Sequence, residues 1–198
     1  MKLVSKRIAI VQGHPDPDPE RFGRALSNAY LQGARDGGHD VRVIDIAGLD
    51  FPMLHSQQDW LTGTLPESLR EPQATLGWAN HIVIFYPMWL GTMPALMKAF
   101  LEQVLRPGFA FTYGGSGGLP KKLLTGKSAR IVITMGMPEI VYRWYFRAHS
   151  LKSLQRNILG FCGVSPIRST LIGTILNGGR VRHELCLQKM RLLGQRAG

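Results

Sequence analysis

At 198 residues, 44% of them hydrophobic and 19% charged, the chain has the length of one domain and enough apolar side chains to bury a core, which excludes a disordered chain. Its longest nearly uninterrupted apolar run, Ile82 to Leu90, covers nine residues, against the ~20 that a membrane-spanning helix requires. The formal net charge of +11 favours anionic ligands such as phosphates and nucleotides, but the basic residues are spread from Lys2 to Arg196 without a dense run, so no nucleic-acid-binding arm is expected.

In chain order, Met1 to Arg7 hold no apolar signal core. Ile8-Ala9-Ile10-Val11 is the first β-branched run. Phe22, Ala25, Leu26, Ala29, Tyr30 and Ala34 then recur at three- and four-residue spacing, a helix that Gly37-Gly38 ends. Val41 to Ile46 is a second run, Pro66 to Asn80 a second helix, and His81 to Tyr86 a third run. Pro94 opens a helix with Leu96, Met97, Phe100, Leu101, Val104 and Leu105 on one face, closed by Pro107-Gly108. The glycine tract from Tyr113 to Pro120 precedes no clear helix, and Pro120 lacks an amide donor; it reads as a mobile connection rather than a phosphate cradle. Arg130 to Thr134 is the fourth run, Pro138 to Phe161 is helical in part, Leu171 to Ile175 is the fifth run, and Gly178 to Leu193 a last helix. Near-continuous apolarity marks parallel strands covered on both faces. Their alternation with helices predicts one open, doubly wound α/β domain over residues 1–198. Cys162 and Cys186 have no Cys or His at metal-ligand spacing, so the expectation is a cytoplasmic chain with reduced thiols, no metal and no stable membrane insertion.

In such a domain ligands sit outside the carboxyl ends of the strands. Three loops follow from that rule. Gly13 to Phe22 leads into a helix whose N-terminal amides accept a phosphate; it lacks both G-x-G-x-x-G and G-x-x-x-x-G-K-[ST] spacing, which disfavours a Rossmann dinucleotide site and an ATPase. Tyr86 to Ala95 carries large apolar side chains between two prolines, suited either to a flat ligand or to packing. Thr134 to Tyr145 places Gly136 just past a strand, while Trp144 and Tyr145 read as core or interface residues before cofactor platforms.

Four segments carry a resemblance: Ile10-Val11-Gln12-Gly13-His14-Pro15, Tyr86 through Lys98, Gly108-Phe109-Ala110-Phe111-Thr112-Tyr113, and Ile133-Thr134-Met135-Gly136. Their order and spacing, over roughly residues 7–175, resemble the NAD(P)H dehydrogenase (quinone) family. The resemblance implies a flavodoxin-like α/β fold, with a five-stranded parallel sheet in the order 2-1-3-4-5 and helices on both faces. It implies a bound flavin contacted at its phosphate by His14, Arg21, Phe22 and Gly23, lined along its ring by Pro87, Met88, Trp89, Leu90 and Gly91, and flanked at its polar edge by Thr134, Gly136 and Met137. FMN is expected before FAD, because little chain beyond the fifth strand remains to shelter an adenosine half. Tyr142 and His149 lie near positions where some members manage charge on the reduced flavin, and are the catalytic candidates. NAD(P)H is the implied co-substrate, a quinone or similar flat molecule the acceptor, and a homodimer the assembly. Pro19-Glu20-Arg21 stands where the family often offers a hydroxyl, and Glu20 repels a phosphate unless it points away. A non-enzymatic electron carrier and a flavin-binding regulatory subunit of a membrane transporter are the alternative readings.

Overall fold

The central strands are what the apolar runs predict. In the computed structural model, which describes residues 5–114, 118–175 and 179–198, the elements in chain order are β1 (Arg7–Gln12), α1 (Phe22–Asp36), β2 (Asp40–Asp45), α2 (Gln57–Thr62), α3 (Arg70–Trp78), β3 (His81–Pro87) and α4 (Ala95–Val104). There follow β4 (Phe111–Thr112), β5 (Lys121–Lys122), β6 (Ser128–Thr134), α5 (Glu139–Trp144), α6 (His149–Lys152), a π-helical stretch over Ser153–Leu159 running into α7 (Gly160–Cys162), β7 (Ile167–Ile172) and α8 (Gly179–Gln195). Five strands form one parallel sheet in the order β2-β1-β3-β6-β7, which is the expected 2-1-3-4-5 arrangement. β4 and β5 make a separate antiparallel ribbon.

Side chains alternate across a strand, and here both sides are buried. Ala9, Val11, Ile82 and Ile84 pack into one core; Ile8, Ile10, Val83 and Phe85 pack into the other. That two-sided burial explains why β1 and β3 read as unbroken apolar runs.

The fifth run is corrected. The strand is Ile167–Ile172, not Leu171 to Ile175, and only Thr170, Leu171 and Ile172 of it are buried. β7 is an edge strand, so its first half carries Arg168 and Ser169 and gives no apolar signal. The Pro66 to Asn80 stretch begins as a 3-10 turn, Glu67–Leu69, before α3. α2 went unseen because it buries no residue; its mark is local, Ser56 accepting from the Asp59 amide at 3.0 Å. Of the glycine tract, Gly115 to Gly117 lie outside the described residues, as does Gly178. Trp144 and Tyr145 are 78% and 80% exposed, so they are not core residues of this chain.

α8 closes against α1 backbone to backbone. A Cβ on Gly33 meets the Arg191 carbonyl oxygen at 1.9 Å, and one on Gly194 meets the Tyr30 carbonyl oxygen at 2.1 Å. His39 reaches the Gln195 carbonyl at 3.2 Å, and Arg191 pairs with Asp36 at 2.7 Å. This seating carries α8 across the α1 face of the sheet and brings His183 over Phe22, with ring centroids 4.2 Å apart.

Two outcomes follow for the fold. Gly33→Ala is expected to lower unfolding free energy by about 3 kcal/mol, since the backbone it strikes cannot yield as a side chain does; Gly48→Ala, whose Cβ meets nothing within 4 Å, leaves it unchanged. Denaturant titration compares them. His81, 2% exposed, bonds Ser128 through Nδ1 at 2.8 Å and has no partner at Nε2. Burial, helped by Lys6, Arg130, Arg168 and His39, pushes its pKa down to about 3. The unfolded chain therefore takes up this proton first, and stability is lost as pH falls from ~6.5 towards 3. A His81→Leu variant is expected to show a shallower loss over that window.

Candidate active site

β1, β3 and β6 are neighbours, with Gln12 opposite Phe85 and Pro87 opposite Thr134. The loops that leave their carboxyl ends therefore converge on one edge of the sheet.

The first loop turns sharply over β3. The Gly13 amide donates to the Phe85 carbonyl at 2.7 Å, and a Cβ at Gly13 meets that oxygen at 2.7 Å and Met97 Sδ at 2.8 Å. Only glycine fits this crossing. The aspartates of the proline-rich stretch then fold it as successive turns: the Asp18 amide donates to Asp16 Oδ1 and the Glu20 amide to Asp18 Oδ1, each at 2.9 Å. His14 accepts the Asp16 amide at Nδ1 (3.0 Å) and stands edge-on to Trp89, 6.0 Å between centroids, so the first and second loops touch. Burial pushes the His14 pKa down; Asp16 opposes this, while Arg21 and Arg24 add to it. The Asp18 amide and the Arg21 side chain hold the Asp16 carboxyl below its usual range.

α1 begins at Phe22 with no side-chain cap at Arg21 and no acidic residue in its first turn. Its first amides are left to an outside acceptor. Arg21 is half-exposed and paired with Asp16 (2.6 Å) and Asp18 (3.4 Å). Arg24 grips Asp45 with two bonds, at 2.6 and 3.0 Å. Glu20 is exposed. Beneath the loop, buried Gln12 donates to Ser27 Oγ at 2.8 Å, and its Oε1 has no partner.

In the second loop the Met88 amide donates to the Thr134 carbonyl at 2.8 Å. Trp89 and Thr92 exchange two backbone bonds, at 2.9 and 3.0 Å, around Leu90 (φ 46°) and Gly91 (φ 79°). Both central residues are left-handed, as a tight two-residue hairpin turn requires. Gly91 adopts this freely; Leu90 does so at a cost, and it is fully exposed.

The third loop is fastened to β7. The Met135 amide donates to the Ile172 carbonyl at 2.9 Å, and the Gly173 amide to Glu139 Oε1 at 3.0 Å. Gly136 is exposed between Thr134, which is buried, and half-buried Met137. Pro87 is buried at the strand end and Met88 half-buried beside it.

Tyr142 and His149, expected as a pair, have different surroundings. Tyr142 is 1% exposed, and its hydroxyl accepts the Leu151 amide at 3.1 Å and lies 2.7 Å from Ser150 Oγ. Its phenol is occupied within the fold. His149 is exposed at the start of α6. A cleft of about 490 Å³ opens between the second loop, α4 and α6, lined by Trp89, Leu90, Met93, Lys98, Ser150 and Ser153 among others. The sequence reading missed Asp16, Arg24, Asp45, His183, Lys98 and Ser150. Only the Asp16-Pro17-Asp18 spacing offered a local signal; the others are assembled by tertiary contact.

Among the described residues no helix is long and apolar enough to cross a membrane, and no group of three or more His, Cys, Asp or Glu is placed to hold a metal.

Residues 6–191 match the family described as having a flavodoxin-like fold. An uncharacterised NAD(P)H oxidoreductase of Haemophilus influenzae is 29% identical over 170 residues, covering 84% of this chain and 83% of the relative. An FMN-dependent NADH:quinone oxidoreductase of Shewanella loihica is 31% identical over 157 residues, covering 74% of this chain and 76% of the relative. Among solved structures, the NAD(P)H:quinone oxidoreductase of Methanothermobacter marburgensis superposes with a TM-score of 0.80 at 24% identity, over 97% of this chain and 96% of that one; that likeness speaks for the fold. With this match spanning nearly its whole length, the chain belongs to the flavodoxin-like fold family.

Proposed function

We propose that this chain is an FMN-dependent NAD(P)H oxidoreductase that reduces a quinone or a similar flat acceptor by two electrons. The observation that carries the reading is the meeting of an uncapped fifteen-residue helix, α1, with an exposed apolar turn, Trp89 to Thr92, at one sheet edge. The first suits a phosphate and the second a flat ring. Relatives described as NAD(P)H and FMN-dependent NADH:quinone oxidoreductases support it.

The residues present fit an FMN. The open amides of α1 and the crossing at Gly13, which a side chain would block, suit its phosphate end. His14, Arg21, Phe22 and Gly23 hold that end in this reading, with Phe22 backed by His183. Arg21 shares its guanidinium between Asp16 and the phosphate. Glu20 is exposed and does not oppose the charge unless it turns inward. Pro87 to Gly91 support the ring, and Thr134, Gly136 and Met137 meet its polar edge, where the amide of exposed Gly136 would stabilise negative charge. When bound, FMN supplies a ring that takes hydride from NAD(P)H and releases it to the acceptor in a separate step. The +11 charge draws anionic dinucleotides towards the site. The reading takes the protein as one domain, a cytoplasmic homodimer in which a second copy covers apolar surface beside the site.

Two measurements test this. Purified protein is expected to show flavin absorbance that bleaches with NADPH under nitrogen and returns on adding a quinone. Bands that persist with NADPH point to a carrier or regulator, and no bands after reconstitution with FMN or FAD refute a flavoprotein. The second is a pH dependence. A bound phosphate raises the His14 pKa from its depressed value, so binding takes up a proton and FMN affinity rises as pH falls towards that value, below ~6.5. His14→Gln is expected to lessen that slope, and riboflavin, which lacks the phosphate, to show none in the native protein. Flavin fluorescence quenching gives both Kd values.

A further inference from the structure

The hydrogen bonds around Tyr142 fix the direction of a hydroxyl that nothing so far uses. The buried phenol accepts from the Leu151 amide at 3.1 Å. Its own single hydrogen needs an acceptor, because a buried donor without one is costly. Ser150 Oγ, at 2.7 Å, is the partner present. Tyr142 therefore donates to Ser150, and Ser150 is left with its own hydrogen to donate elsewhere.

Ser150 lines the 490 Å³ cleft whose other walls are the Trp89 to Thr92 turn, Met93, Pro94, Ala95, Ser153 and Ile158. Those walls are largely apolar. Lys98 also lines it, but its ammonium is paired with Glu102. Thr92 and Ser153 also bring hydroxyls to the lining, but Ser150 is the one whose hydrogen the Tyr142 contact leaves free; a cleft of this size with Trp89 in its wall suits an aromatic molecule with a carbonyl oxygen. The backbone supports the arrangement. Arg147 and Ala148 take left-handed conformations (φ 51° and 49°), and the Ala148 amide donates to the Tyr142 carbonyl at 3.0 Å. This strained corner folds α6 back over α5 and sets Ser150 beside the phenol. Non-glycine residues are held so only where the surroundings fix them.

We infer that the cleft between the Trp89 to Thr92 turn and α6 is the acceptor subsite, in which Ser150 donates a hydrogen bond to the carbonyl oxygen of a flat quinone. Tyr142 is the residue that positions Ser150 and does not itself touch the ligand. The inference rests on the oxidoreductase reading for its choice of ligand, but its test needs no turnover.

FMN-loaded protein without any reductant is titrated with menadione, and with 2-methylnaphthalene, which has the same rings and no carbonyl. Quenching of tryptophan fluorescence reports binding, since Trp89 lines the cleft. Ser150→Ala is expected to weaken menadione about fivefold, the ordinary worth of one neutral hydrogen bond, and to leave 2-methylnaphthalene unmoved. Ser150→Thr keeps the menadione affinity. Tyr142→Phe weakens menadione as well, and adds nothing in the Ser150→Ala background; if Tyr142→Phe does not fold, the two Ser150 variants decide alone. An unchanged menadione Kd in Ser150→Ala, or an equal loss for both ligands, overturns the inference. The oxidoreductase reading fails separately, on absent bleaching by NADPH, and that result leaves the carbonyl-dependent Kd shift to be read on its own.

Discussion

The contact between Gly13 and β3 is the constraint on which the site depends. Its amide reaches the Phe85 carbonyl at 2.7 Å, with Met97 of α4 directly behind. No side chain fits there, so the chain leaving β1 lies flat across the neighbouring strand instead of rising into solvent. The consequence is geometric: His14 comes against Trp89, and the start of α1 faces the turn that follows β3. A parallel sheet always gathers its loops at the carboxyl edge. It takes this crossing to make two of them touch.

The polar residues of the first loop serve order before they serve a ligand. Asp16 and Asp18 fold the proline-rich stretch by accepting main-chain amides, and then hold Arg21. Arg24 is held by Asp45 in the same way. The exposed Arg21 pairs contribute at most about 1 kcal/mol each, while Arg24 is largely buried and held by two bonds; together they keep two cations close to the α1 amides. A phosphate arriving there meets donors already oriented. The large positive charge is thus partly organised around the site, although no dense run of basic residues marks it in the sequence.

The sequence carried the fold in its central strands and at the β2 edge, and lost the bounds of the strand at the β7 edge. β1, β3 and β6 are buried on both faces, so apolarity alone marks them. β7, at the edge, pairs its first half through Arg168 and Ser169, and the apolar residues shifted its apparent start by four positions. α2 buries nothing and has no periodicity to find. The site divides similarly. Gly13, Leu90, Gly91 and Gly136 stand within a few residues of strand ends and were legible from position. His183 reaches Phe22 from α8, and Ser150 meets Tyr142 across a left-handed corner. Neither contact follows from spacing, because helix packing and backbone strain create both.

Local rules break where that strain collects. Leu90, Arg147, Ala148, Thr174 and Ala197 hold positive φ without being glycine, and the first three lie on the walls or supports of one cleft. Most of the chain follows local rules: glycine at the tight α1–α8 crossing, β-branched residues in the central strands, an Asx or serine hydroxyl at turns. A left-handed leucine, fully exposed, contributes nothing to the packing of this chain and costs about 1–2 kcal/mol relative to a relaxed conformation. Its side chain is instead presented outward beside Trp89. Aspartates and glycines were available to make the same turn without that cost. Leu90 is thus held out by the turn itself, on the wall of the cleft that Trp89, Met93 and Pro94 also line, so the strain at this position shapes an apolar surface rather than the core.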